Sequence, residues 1–100
     1  MAFTIRFNGE KNQLLKATRG ISFEDVQQAL KTNKLLADIV HYSNYSKQRI
    51  YIVEIKQYAY AVPYVVNIEK QEIFLKTIYP SRVFTKKYME GGVDEKKKKR

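Results

Sequence analysis

From Ala2 to Phe7 the chain alternates, with Phe3, Ile5 and Phe7 on one side and Thr4 and Arg6 on the other. That pattern predicts a half-buried strand, antiparallel or at a sheet edge. The period then lengthens. Asn8 offers a helix N-cap, Glu10 a first-turn acid and Gly20 a left-handed stop, which predicts a helix over Gly9–Arg19 with a thin stripe of Leu14, Leu15 and Ala17. Ser22 with Asp25 three residues on forms a variant of the capping box, and Ile21 and Val26 flank it as a hydrophobic staple. Phe23, Val26, Ala29 and Leu30 follow at spacings of three and four, so a second helix runs from Phe23 to about Lys31.

After that helix the period becomes two. Leu36–Tyr42, Arg49–Lys56 and Tyr58–Asn67 read as strands, and the last two, separated only by Gln57, form a hairpin. Tyr58, Tyr60, Val62, Tyr64 and Val66 share one face of theirs, opposite small residues. Pro63 donates nothing to a ladder, so it marks a bulge or the outer edge of its strand. Ile73–Tyr79 is apolar in both registers apart from Lys76, which predicts a central strand covered on both sides. A Tyr-Pro-Ser-Arg corner and a short basic-aromatic helix complete the order β-α-α-β-β-β-β-α. The expected fold class is α+β: a small, curved antiparallel sheet with two N-terminal helices packed on one side and a short C-terminal helix.

Length and composition narrow this. One hundred residues, 44% apolar and 29% charged, fit one small globular domain, here residues 1–92, followed by a disordered basic tail at 93–100. No apolar run is long enough for a membrane helix, and MAFTIRFNG lacks the parts of a secretory signal. With no cysteine, thiol chemistry is excluded, and the expected location is the cytoplasm. Nineteen Lys and Arg against ten Asp and Glu give a net charge of +9. Without the tail VDEKKKKR the balance is fourteen against eight, or +6, so the body itself favours polyanions.

Several chemistries drop out. One histidine, no cysteine and scattered carboxylates leave no metal set, and no Gly-rich phosphate loop or nucleophile elbow follows a strand. The expectation is no metal and no small-molecule cofactor. What remains is Lys, Arg, Tyr and His41. RNA transesterification runs on such a set: a group to take the 2′-hydroxyl proton, a cation for the phosphorane and a donor to the leaving 5′-oxygen. Arg82, after the Pro-Ser corner, suits the phosphorane because its fork matches two phosphate oxygens. His41 and Glu54 are the candidates for proton transfer. Lys76, Lys86, Lys87 and Arg49 are candidate phosphate ligands, and Tyr79 and Tyr88 candidate stacking surfaces for unpaired bases. Plainer alternatives stand beside them: Arg82 capping a carbonyl, Lys76 snorkelling to the sheet edge, His41 satisfied structurally, Glu54 paired with a strand cation, Arg49 simply solvated.

RGISFEDV, RIYIVEI, YAYAVPYV and FLKTIYPSR followed by TKKY together resemble the small BrnT-type toxins of the RelE-like group of toxin–antitoxin ribonucleases. The likeness spans about Phe3 to Tyr88. It implies a compact sheet with N-terminal helices, metal-free cleavage of RNA (ribosome-bound mRNA or free RNA), translation arrest, and neutralisation by a cognate antitoxin protein. Ser81, Arg82, Thr85, Lys86 and Lys87 match the family's C-terminal pattern, although Tyr88 and Met89 stand where an arginine-rich helix is usual. The alternative from another class is a noncatalytic basic module that holds RNA or an acidic protein.

Overall fold

Asn8 caps the first helix, α1 (Gly9–Arg19), by accepting the Lys11 N–H at 2.8 Å, and Gly20 ends it at φ 68°. Ser22 and Asp25 make the capping box of α2 (Phe23–Lys31) in both directions. The computed structural model describes residues 3–42 and 47–90, so the tail at 93–100 lies outside the described residues. The strands are β1 (Thr4–Phe7), β2 (Leu35–Tyr42), β3 (Lys47–Ile55), β4 (Tyr58–Asn67), β5 (Glu72–Leu75) and β6 (Tyr79–Pro80), and α3 (Arg82–Met89) closes the series. They form one open sheet in the order β1-β5-β4-β3-β2, with β6 on β4.

The α+β architecture and element order are those read from the sequence. One pairing differs: β1 sits at the edge, as its alternation implies, but runs parallel to β5, so the sheet is mixed. The helices account for this, since α1 and α2 carry the chain from one edge strand to the other, β2, across a face of the sheet. Their cargo is the main core. Leu15, Ile21, Phe23, Val26 and Ala29 from the helical segment pack on Val53, Ile55, Val62, Tyr64 and Leu75. Phe7 stacks on Phe23 at 4.9 Å and ties β1 to α2. Asn12 is buried and satisfied on both sides, donating to Glu24 at 2.8 Å and accepting the Phe23 N–H at 2.7 Å. A smaller core lies on the opposite face, where Ile50, Ile52, Ala59 and Ala61 meet Phe84, Tyr88 and Met89.

The expected single strand Ile73–Tyr79 is split into β5 and β6, and Pro63 explains the split. Pro63 is not at an edge or a bulge: it pairs with Ile50 in unbroken register inside β4. Its carbonyl accepts the Lys76 N–H at 2.9 Å. In an antiparallel pair the reciprocal bond would come from residue 63, and proline has no N–H to give. The ladder therefore fails at Lys76, and the chain leaves it until Tyr79 meets Ala61. Arg19 holds the excursion down by donating to the Ile78 carbonyl, with Ile78 fully buried. Nor is the strand covered on both faces. Leu75 is buried but Phe74 is 42% exposed.

The β3–β4 turn uses two residues, not Gln57 alone. Lys56 and Gln57 take φ values of 54° and 65°, as a two-residue primed turn requires, and neither is glycine. Lys56 is further tied by its ammonium to the Gly20 carbonyl at 2.6 Å. Gln57 makes no such contact among the described residues, so Gln57→Gly should relieve left-handed strain and stabilise the fold by about 1 kcal/mol. Thermal unfolding should show a midpoint raised by about 4–8 °C; an unchanged or lower midpoint contradicts the strain.

Candidate nucleic-acid interface

The site begins with how α3 is fastened. Ser81 is its N-cap, accepting the Phe84 N–H at 3.1 Å, while the Ser81 N–H donates to the Ala59 carbonyl at 3.0 Å. Thr85, buried, completes the joint: its hydroxyl accepts the Ala59 N–H at 2.9 Å and donates to the Ser81 carbonyl at 2.7 Å. Both backbone groups of Ala59 are thus spent on the helix. The small side chains of Ala59 and Ala61 let α3 lie close, with Phe84, Tyr88 and Met89 turned inward. By helical periodicity the outward positions fall to Arg82, Val83, Lys86 and Lys87, all exposed.

Arg82 is therefore the first helical residue of a segment fixed to the sheet by backbone hydrogen bonds. It makes no hydrogen bond or ion pair among the described residues, so the carbonyl-capping alternative does not occur there. The first-turn N–H dipole of α3 lies beside it and carries no acidic residue. Lys86 and Lys87 project from the next turn, and Lys87 lies over the Tyr88 ring at 5.4 Å. Tyr88 is half-buried and also touches Phe84, with centroids 6.0 Å apart, so much of its ring packs rather than awaits a base. Tyr79 pairs with Ala61, hence shares the α3 side, and is 38% exposed. Lys76 is exposed and, one residue past buried Leu75, falls on that side too.

Glu54 alternates with Ile55 of the main core, which places it on the α3 side at the hairpin end of β3. It lies directly across from Ala59, whose other neighbour is Ser81. Two strand spacings, about 10 Å, therefore separate the Glu54 and Ser81 backbones. Its recorded contact is an ion pair with Lys34 at 3.8 Å, and it lines a depression of about 240 Å³ with Lys56 and the α2 residues Asp25 and Gln28. Glu54 and Arg82 do not touch. The backbone of His41 pairs with Gln48 in β2–β3; its side chain lies outside the described residues.

Arg49 belongs elsewhere. It pairs with Asp38 at 3.2 Å and sits over the Tyr64 ring at 5.5 Å, on the face that carries α1 and α2. Tyr64 stacks on Tyr51 at 3.9 Å and donates its hydroxyl to Asp38 at 2.7 Å. Tyr64 and Asp38 hold the Arg49 guanidinium's pKa above its ordinary value, and burial followed by the Asp38 bond pushes the Tyr64 phenol up. This is a structural cluster rather than part of a phosphate site. A phenol raised in the folded state stabilises the fold below its ordinary value of 10.0, and that contribution is lost as pH rises through the folded value. Tyr64→Phe should cost about 1–2 kcal/mol at pH 7 and flatten the fall in stability above pH 10 in denaturant titrations; an equally steep alkaline fall contradicts the assignment.

Lys76, Arg82, Lys86 and Lys87 make no ion pair among the described residues. Glu90, the C-cap of α3, is the sole carboxylate from Arg82 to Glu90. Sequence reasoning singled out these cations as candidates but missed the Thr85–Ala59 joint that fastens the helix bearing Arg82, Lys86 and Lys87; the signal was the Ser81-x-x-x-Thr85 spacing at a helix start. No group of three His, Cys, Asp or Glu residues suited to a metal occurs among the described residues, and no helix there is long and apolar enough to cross a membrane. No protein-family model matches the chain, and no curated protein is significantly similar to it.

Proposed function

We propose that this chain is a metal-independent endoribonuclease toxin of the BrnT type within the RelE-like group, acting in the cytoplasm by cutting mRNA and thereby halting translation. The observation that carries this reading is Arg82: a guanidinium without a partner among the described residues, at the start of a helix fixed to the sheet, with Lys76, Lys86 and Lys87 on the same side. Arg82 stabilises the phosphorane, and Lys76 and Lys86 hold the flanking phosphates. Glu54, two strand spacings away, takes the 2′-hydroxyl proton as the 2′-oxygen attacks phosphorus and the 5′-oxygen leaves. His41, whose backbone lies across from Gln48, six residues or about 20 Å along β3 from Glu54, has no part in this reading, and the leaving 5′-oxygen takes its proton from water. Arg49, engaged by Asp38 and Tyr64, has no part in this reading.

A free nuclease harms its host, so an antitoxin protein, acidic where it meets α3, covers the basic side. Induced expression tests the reading: the wild-type chain arrests growth, and Arg82→Ala relieves the arrest while the protein stays soluble and folded. Undiminished arrest by Arg82→Ala removes the assignment. One observation favours a noncatalytic RNA- or protein-binding module instead, namely that Glu54 contacts Lys34 and not Arg82. Growth unaffected by the wild-type chain, with RNA bound but uncut, supports that module.

A further inference from the structure

α3 covers only part of its face of the sheet. Past Pro63 the same face continues to Val65 of β4 and Phe74 of β5, which pair in register and are 51% and 42% exposed. An exposed aromatic ring on an interior strand is otherwise a wasted opportunity for burial. A cation lies on one side of it and an ion pair on the other. Lys76 follows two residues on, about 7 Å along the strand and on the same face. Arg6 lies directly across in β1, its side chain 62% exposed while it pairs with Glu72 at 3.1 Å.

We infer that this shelf is a base-stacking subsite for single-stranded RNA, which rests on the reading of the α3 side given above. One unpaired base lies flat on Phe74 against Val65, and Lys76 meets the phosphate on one side of it. The strand then continues from Lys76 toward Arg82; six residues of β4, about 20 Å, separate Val65 from Ala59 at the Ser81 joint, so the stacked base lies about three nucleotides from the scissile phosphate and Phe74 is a binding residue. Size and charge select this occupant. Two apolar side chains offer far less than the roughly 800 Å² per partner of a stable protein interface, but they suit a single base. A second copy of the chain is disfavoured by its net charge of +9.

The test uses the full chain and a 2′-O-methyl RNA oligonucleotide, which offers no nucleophile and stays intact. The chain has no tryptophan, so Phe74→Trp carries the only indole. Its emission should be quenched saturably by the oligonucleotide. Phe74→Leu, which keeps the apolar volume but not the ring, should weaken binding of the fluorescein-labelled oligonucleotide by about tenfold. Phe74→Tyr should retain the affinity, and Lys76→Ala should reduce both affinity and its salt dependence. Oligonucleotide binding that Phe74→Leu leaves unchanged, without quenching in Phe74→Trp, overturns the shelf and leaves the RNA reading standing. Quenching that tracks protein concentration alone assigns the shelf to self-association and overturns the subsite. No binding by the wild-type chain overturns the RNA reading and the shelf together.

Discussion

Arg82→Ala should lower RNA cleavage in EDTA by about two to three orders of magnitude, the loss typical of removing one preorganised donor to a charged transition state. The fold should not notice. Arg82 is exposed and bonds to nothing among the described residues, and substitutions at such positions change stability by about 0.5 kcal/mol or less. Arg82→Lys restores the charge but not the planar fork that grips two phosphate oxygens, so it should recover only part of the rate. Circular dichroism and single-turnover cleavage, run on the same preparations, separate chemistry from folding. Full cleavage by a well-folded Arg82→Ala variant contradicts the assignment.

The largest effect on stability should come from Thr85→Val, which is nearly the same shape. Valine leaves the Ala59 N–H, which Thr85 satisfies at 2.9 Å, buried without an acceptor, and it removes the 2.7 Å bond to the Ser81 carbonyl. The expected cost is about 2–3 kcal/mol, which lowers the thermal midpoint on the order of 10 °C or more for a domain of this size. Because the same joint aims Arg82, cleavage should fall below what the folded fraction accounts for. Thr85→Ser keeps both bonds and should recover most of each loss. An unchanged midpoint in Thr85→Val means that α3 is held by Phe84, Tyr88 and Met89 alone.

Local chemistry was legible where a single side chain decides the outcome. Asn8, Gly20 and the Ser22–Asp25 pair set the helix ends as read from the sequence, and the Tyr58–Val66 alternation sorted β4 onto its two faces. Features that depend on a neighbour remote in sequence were not legible. Pro63 announces a missing donor, but only the pairing of Lys76 with it shows that the cost falls on the next strand, which splits into β5 and β6. The parallel partner of β1 follows from the path of α1 and α2 across the sheet, which periodicity does not encode.

The candidate site divides in the same way. Arg82, Lys86 and Lys87 lie within one helix, so their common face follows from spacing alone. Arg49 looked equally free, yet Asp38, eleven residues earlier, and Tyr64, across the hairpin, engage it on the other face. Glu54, a charge in an otherwise apolar strand, read as either a base or the partner of a strand cation; the fold pairs it with Lys34, just before β2. Phe74 was read as core because both registers of its segment are apolar. It is exposed because α3 packs over β3 and β4, at Ile50, Ile52, Ala59 and Ala61, and leaves β5 uncovered.

The most direct measurement is the chemistry of the cut. An RNA oligonucleotide and its all-2′-deoxy counterpart are incubated with the purified chain in EDTA, with and without ribosomes, and the product ends are read by mass spectrometry. The account predicts cleavage of the RNA only, leaving a 2′,3′-cyclic phosphate and a 5′-hydroxyl, and loss of that product in Arg82→Ala. Binding without cleavage under both conditions, or fragments that carry 5′-phosphate, would contradict it.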